Sequence, residues 1–436
     1  MRDVLLTLVV FGAIPFILRR PHLGILMYVW LSVMNPHRLT WSFAHDFNFA
    51  AIVAVTTLVG AVFARKRPLP INSLSLVLLA FVGWTSVTTV FALYPSDSFE
   101  LWVTMMKTQL MVLLIPLLFQ TREQVRQLIW VIVLSIGYYG TKGGVFTLLT
   151  GGQYKVYGPE ASYIEDNNAL AVAIIMVIPL MRYLFMTNPN KYLRWALFGM
   201  MTSCGLAVLG SYSRGALLAV GAMVTFLWLK GRHKVLFLMF AVVAFPVALF
   251  YMPEQWYQRM DTIAEYQQDT SANMRLNAWG TMFNIAKDRP LFGAGYEVAL
   301  KPIFDRYSPD PSFPPQVAHS IYFEALGSHG FVGFAIYVLL LITHWKHAGR
   351  LVRGAKGRAD LAWLYHYGLM MQVSIVGFAV GGAFLSLVNF DVPYYLIGTT
   401  LVVGRLLEQQ LRAEREGAAA RGPNGRRLVS TLRLNG

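Results

Sequence analysis

Apolar runs of roughly membrane-spanning length recur along the whole chain, separated by short stretches that hold arginine or lysine. A spanning helix needs about 20 mostly apolar residues. Isolated strands cannot cross lipid, because their backbone groups would go unsatisfied there. Thirteen apolar segments are readable, near 2–18, 22–34, 48–64, 73–93, 100–119, 126–149, 167–187, 192–210, 213–229, 234–251, 319–343, 363–388 and 391–407. Only 14% of residues are charged and 56% are hydrophobic, whereas a soluble chain carries about 25% charged residues. That excludes a soluble globular protein and a disordered one. The net charge is +15, but the cations punctuate apolar runs instead of clustering on a solvated face, so a nucleic-acid partner is excluded. The fold expected is an all-α polytopic integral membrane protein.

Lysine and arginine in short loops mark the cytoplasmic side. Alternate connections here are basic, and they hold about two thirds of the 37 Lys and Arg. The stretch 252–318 falls on the opposite side, periplasmic in a Gram-negative cell. Four regions follow: N-terminal spans in 1–251, a large loop or lid at 252–318, C-terminal spans in 319–408, and a basic cytoplasmic tail at 409–436 that is expected to be disordered from about Arg412 and close to anionic lipid. Thirteen passes with the C-terminus inside would leave Met1 outside. The first segment is short and holds Pro15, a helix breaker. A reading of about 12 spans with 1–18 dipping into the bilayer is therefore preferred. Within the lid, Met274, Ala278, Met282 and Ile285 recur at helical spacing, while Ser308 to Pro315 is too rich in proline for a helix. The single cysteine, Cys204, lies in an apolar run and reads as a small buried hydrophobe. Arg19-Arg20-Pro21 follows the first segment where a signal peptide would have small residues.

Several chemistries lack their residues. There is no GxxxxGK[ST] phosphate loop, no HExxH and no Asp-x-Asp pair to hold a divalent ion on a diphosphate. His344 and His347 are placed in a basic cytoplasmic loop. No metal or cofactor is expected. What remains is a set of cations and one histidine on the outer side. Arg214 lies between two apolar segments and reads either as an interfacial arginine reaching for water or as a functional charge. Arg275 and Arg289 are lid cations that are either solvated or matched to phosphate oxygens. His319 opens an apolar segment directly after the proline-rich stretch, as a structural histidine or as a base near neutral pH. Tyr212, Asn167 and Asn168 sit at similar outer ends, where Asp166 or Asn167 also suits a helix cap. Tyr138, Tyr139, Trp256, Tyr257, Tyr394 and Tyr395 read as interfacial belts.

Four stretches in order carry a resemblance. They are Asp166-Asn-Asn-Ala-Leu-Ala171, Ser213-Arg-Gly-Ala216, Arg275-x-x-x-Trp279 with Pro290-x-x-Gly-x-Gly295, and His319-Ser with Glu324 and Gly327-x-x-Gly330-x-x-Gly333. The set resembles the O-antigen ligase and O-antigen polymerase superfamily. Met34-Asn-Pro-His-Arg-Leu-Thr-Trp41 resembles the branch of exosortase-associated O-glycosylation ligases. The resemblance implies a twelve-span GT-C-type glycosyltransferase in the bacterial inner membrane, with one large helical periplasmic loop. It implies an undecaprenyl-diphosphate-linked glycan as donor and a sugar of lipid A–core as acceptor. Carried onto this chain, His319 would be the general base, and Arg214, Arg275 and Arg289 would hold the diphosphate. Polymerase, protein-glycosylating ligase and non-catalytic flippase are the rival readings. The spans hold few ionisable residues, Lys107 chief among them, which argues against a flippase pore.

Overall fold

The computed structural model describes residues 1–231, 250, 252–261 and 270–421. Among them every regular element is helical. The helices of the N-terminal half are α1 (Arg2–Arg19), α2 (His22–Met34), α3 (Phe49–Phe63), α4 (Ser73–Val90), α5 (Pro95–Leu118), α6 (Arg122–Leu149), α7 (Asn167–Thr187), α8 (Lys191–Leu209) and α9 (Arg214–Lys230). The lid adds α10 (Glu254–Asp261), α11 (Thr270–Asp288) and α12 (Lys301–Tyr307). The chain then returns through α13 (Ile321–Ala355), α14 (Ala362–Gly381) and α15 (Asp391–Arg421). Seven of these helices are long and apolar enough to cross a membrane by length and composition, while α2 and α3 are shorter and apolar. The expected segment 234–251 lies almost wholly outside the described residues, as does the tail beyond Arg421.

At the centre stands α7. It is apolar nearly all round and buried along most of its length, as a helix enclosed by other helices must be. Small residues let its neighbours close in. On α6, a methyl group at Gly140 would meet Cys204 Sγ at 2.4 Å, and one at Gly144 would meet the Ser203 carbonyl at 2.0 Å. Such close backbone approach is how helices gain packing in lipid, where no hydrophobic force joins them. Cys204 is buried in this contact. At the basic end of the body, Arg405 donates to the carbonyls of Pro116 at 2.6 Å and Phe119 at 2.5 Å. It thereby ties α15 to the end of α5, where helix carbonyls lack partners of their own.

Four sequence expectations are corrected. First, α1 is unbroken through Pro15. At its start, Asp3 accepts from the backbone of Ser42 and Ala44 in the loop before α3. Near its end, the Ile17 and Leu18 backbone lies against Gly60 at the far end of α3. α1 therefore runs alongside α3 over that helix's height, with Met1 and Arg19 at its opposite ends. Second, His344 and His347 are buried within α13 and not in a loop. His344 Nε2 lies 3.0 Å from Thr400 Oγ1, and His347 Nδ1 lies 2.9 Å from the Thr343 carbonyl. Third, Tyr139, Trp256, Tyr394 and Tyr395 are packed inside the protein rather than forming a belt. The Tyr139 hydroxyl donates to the Met34 carbonyl at 2.7 Å. Fourth, α15 stays helical past Arg412 to Arg421, where a disordered tail is expected.

The lid has its own small core of Met282, Ile285, Ala294, Val298, Ile303 and Phe304. It is fastened to α13 through backbone. Gly330 (φ 68°, ψ −174°) interrupts α13 in a conformation open to glycine. Into that break fits the turn after α11. Ala294 N donates to the Gly327 carbonyl and Gly295 N to the Ser328 carbonyl, both at 2.9 Å, and Phe331 N donates to the Pro290 carbonyl at 2.8 Å. A methyl group on Gly293 or Gly330 would strike backbone of the opposite partner at 2.5 Å. The glycines of Pro290-x-x-Gly-x-Gly295 and Gly327-x-x-Gly330 thus form one backbone-to-backbone joint.

Candidate functional site

At the lid end of the body, the N-termini of α7 and α9 open beside the lid helix α11. Each start is fixed by a capping side chain. Asp166 accepts from the backbone of Asn168 and Ala169, and Ser213 accepts from Ala216 N at 3.2 Å. Such caps satisfy part of the orphan N–H set while the positive end of the helix dipole stays at the surface. Between these ends lies a groove lined by Asn168, Tyr212, Ser213, Arg214, Arg275 and Phe384. Arg214 is the first residue of α9, and Arg275 projects from α11. Two cations from separate helices therefore meet at two helix N-termini, which is an arrangement suited to a phosphate group.

His319 flanks the groove. Trp279 lies one turn after Arg275 and so shares its face of α11. Its Nε1 donates to the Ala318 carbonyl at 2.8 Å, and its ring stacks on Phe323 at 5.0 Å. The His319 backbone N–H donates to Ser386 Oγ at 2.8 Å. Held on both sides, His319 adopts a left-handed backbone (φ 45°), a strained state that persists only where the surroundings impose it. Tyr212 in the groove wall is left-handed as well (φ 58°). Burial holds the His319 imidazole below the ordinary histidine range, Arg275 adds to this and Asp166 opposes it. The ring is thus kept neutral and able to accept a proton.

The sequence candidates are unequally placed. Asn168, Tyr212, Arg214 and Arg275 line one groove. Asn167 is buried behind it and donates to the Ser211 carbonyl at 2.5 Å, joining the starts of α7 and α9. The Tyr212 hydroxyl donates to the Gly152 carbonyl at 2.7 Å, so Tyr212 offers the groove a wall and not its phenol. Burial raises that phenol. Arg289 stands at the other end of α11. Its Nε donates to the Gly293 carbonyl at 2.6 Å and its Nη2 to the Phe91 carbonyl, which clamps the glycine joint. Sequence reasoning passed over Ser386, Phe384 and Leu385, which lie within the expected apolar segment 363–388 without a motif. Among the described residues no group of three or more His, Cys, Asp or Glu is placed to hold a metal ion.

Together these features describe a multi-helix membrane protein with a groove where two arginines meet two helix N-termini. Residues 198–338 match the family described as O-antigen ligase, and residues 1–188 match a family of unknown function (DUF5935). That central match supports the O-antigen ligase superfamily, and it runs from within α8 through α9 and the lid into the first part of α13. No curated protein matches the chain.

Proposed function

We propose that this protein is a membrane glycosyltransferase of the O-antigen ligase kind, acting at the periplasmic face of the bacterial inner membrane. It takes a glycan from undecaprenyl diphosphate and joins it to a sugar hydroxyl of lipid A–core. The observation that carries this reading is the convergence of Arg214 and Arg275 on two helix N-termini, with His319 alongside. Diphosphate leaves readily once its developing charge is neutralised. Donors fixed in place before the reaction do this without reorganisation, and removal of one such donor typically costs about 10²–10³ in rate. His319 takes the proton from the acceptor hydroxyl as that oxygen bonds to the anomeric carbon. The bond from that carbon to the diphosphate oxygen breaks, and its electron pair leaves with the phosphate. Attack from the face opposite the leaving group inverts the anomeric centre. Two lipid-held substrates brought together in this way need proximity rather than ATP. The division into N-terminal spans, a lid at 252–318, C-terminal spans and a basic tail belongs to the same reading, as does the twelve-span GT-C class.

Asn167, Asn168 and Tyr212 shape the groove, and Arg289 positions the lid from outside it. The test is reconstitution of the protein in lipid with undecaprenyl-diphosphate glycan and lipid A–core. A linked product is expected without ATP and in the presence of EDTA. Loss of product in EDTA, restored by magnesium, would overturn the arginine-based neutralisation. A polymer ladder formed without any core acceptor would reassign the enzyme as a polymerase.

A further inference from the structure

A roomier furrow runs along the outer face of α6. Its lower part is walled by Leu134, Tyr138 and Thr141 with Met200 of α8, and holds about 420 Å³ of open space. Its upper part lies between Phe146 and Leu149 of α6, Leu39 of the short helical turn Pro36–Leu39 and the loop before α7, and holds about 520 Å³. Both volumes fall in the range of ligand sites, about 300–1,000 Å³. Lys142 lines both parts, so the two are continuous. Leu134, Tyr138, Lys142 and Phe146 follow one another four residues apart and share one face of α6. Leu134, Tyr138, Phe146 and Leu149 are all exposed.

The mouth of this apolar furrow is charged. Lys142 and Lys155 both line it and are exposed, and neither is ion-paired among the described residues. Glu160 stands on the same rim, so two lysines and one glutamate leave a single positive charge in excess. Thr141, next to Lys142, has a hydroxyl without a hydrogen-bond partner among the described residues. Ser135 and Thr147 of the same helix donate theirs to the carbonyl four residues back. Lys142 lies about 30 Å along α6 from Arg122 at the basic end, and a hydrocarbon core is about 30 Å thick. Its ammonium therefore stands at the lid-side membrane surface, where lipid phosphates lie, with the apolar stripe below it at acyl-chain depth. A free anion would leave the furrow unused, and a sugar has hydroxyls that these walls cannot pair. The ligand that uses both parts is an amphiphile with a phosphate above an alkyl chain.

The furrow is backed by main chain. Val156 N donates to the Gly210 carbonyl at 3.2 Å, and the Gly152 carbonyl accepts from the Tyr212 hydroxyl. The Val156 side chain packs onto α6, where a methyl group on Gly143 would meet its Cγ1 at 2.4 Å. The loop 152–160 thus holds Tyr212 of the arginine groove at one point and gives Lys155, Tyr157 and Glu160 to the furrow.

We propose that this furrow is a site for one anionic phospholipid of the lid-side leaflet, with its phosphodiester between Lys142 and Lys155 and an acyl chain along Leu134, Tyr138 and Met200. The seated lipid braces the loop that holds Tyr212. The proposal is independent of the transferase reading, since lipid binding is read without turnover.

The experiment applies native mass spectrometry to the full chain in detergent, with phosphatidylglycerol or phosphatidylcholine of the same acyl chains. One phosphatidylglycerol is expected to stay on each protein, with phosphatidylcholine held about fivefold more weakly or less tightly still. Lys142→Ala and Lys155→Ala should each weaken phosphatidylglycerol about fivefold, and the double variant about 25-fold, as for loss of one cation at an anionic surface per substitution. Lys191→Ala, at the opposite end of the bundle on α8, should change nothing. Should the double variant fail to fold, Lys142→Arg and Leu134→Trp take its place: the first keeps the charge and should keep the lipid, and the second fills the furrow and should lose it. Amide exchange over 152–160 should slow when phosphatidylglycerol is added to the wild type and not when it is added to the double variant. Equal retention of the two lipids, or wild-type retention by the double variant, would overturn the site. Exchange that ignores the lipid would overturn the brace. One-for-one displacement of phosphatidylglycerol by lipid A–core would make the furrow a substrate entrance and overturn the phospholipid assignment.

Discussion

The two ends of α11 carry one arginine each and use them in opposite ways. At the N-terminal end Arg275 lines a groove with Arg214 and two helix N-termini. At the C-terminal end Arg289 is committed to the carbonyls of Gly293 and Phe91. In sequence both are lid cations beside a motif residue. The difference shows that a cation's role here depends on what its backbone neighbours leave unsatisfied. Where caps hold the helix starts, the guanidinium lines a groove. Where a glycine joint turns carbonyls outward, it is a clamp.

The comparison is open to attack from several sides. The largest effect is expected for His319→Ala and Arg214→Ala. Transfer should fall by about 10²–10⁴-fold in His319→Ala, as for loss of a general base, and by about 10²–10³-fold in Arg214→Ala, as for loss of a charge-stabilising donor. Thermal unfolding in detergent should barely move, and transfer at wild-type rate in His319→Ala would remove the base assignment. Arg275→Gln should lower kcat about 10²-fold, whereas Arg289→Gln should lower the melting temperature first. If Arg289→Gln instead lost activity with unchanged melting, the two ends of α11 would not differ as described. Gly330→Ala should destabilise the protein by about 1–3 kcal/mol, the cost of an L-residue in a backbone region proper to glycine, and this is read as a lower melting temperature. The smallest effect is in pH dependence. Because burial and Arg275 both lower the His319 pKa, the neutral base survives below the ordinary histidine range, and the acid limb of kcat/KM lies correspondingly low. Removing the Arg275 charge relieves part of that, so in Arg275→Gln the acid limb should move to higher pH. A shift to lower pH, or none, would break the electrostatic link between the two residues.

Much of this architecture was legible from period and punctuation. The apolar segments, the helix over 273–286 and the extended stretch after Ser308 all follow from local rules, since spacing and proline act within a turn or two of chain. The groove was legible only as a set of residue types at helix ends. Sequence places Arg214 and Arg275 on the same side of the bilayer, but it cannot say that they face one cavity while Arg289 turns away. Aromatic residues misled for the same reason. Tyr394 and Tyr395 stand at a segment end, which suits an interface. They are buried because other helices close over that end, and only tertiary packing determines this.

The interruption at Gly330 bears on how substrates arrive. With three backbone hydrogen bonds stitched across it, the turn after α11 is riveted to α13, and parting the two would mean tearing main chain from main chain. Amphiphiles bearing long tails would then come in from the flanks, sliding between helices within the leaflet while their headgroups pass under a stationary roof. Traffic of that kind is governed by two-dimensional diffusion. Turnover should therefore follow the fluidity of the surrounding bilayer, and amide exchange in 290–295 should be as slow as in the helix it is sewn to.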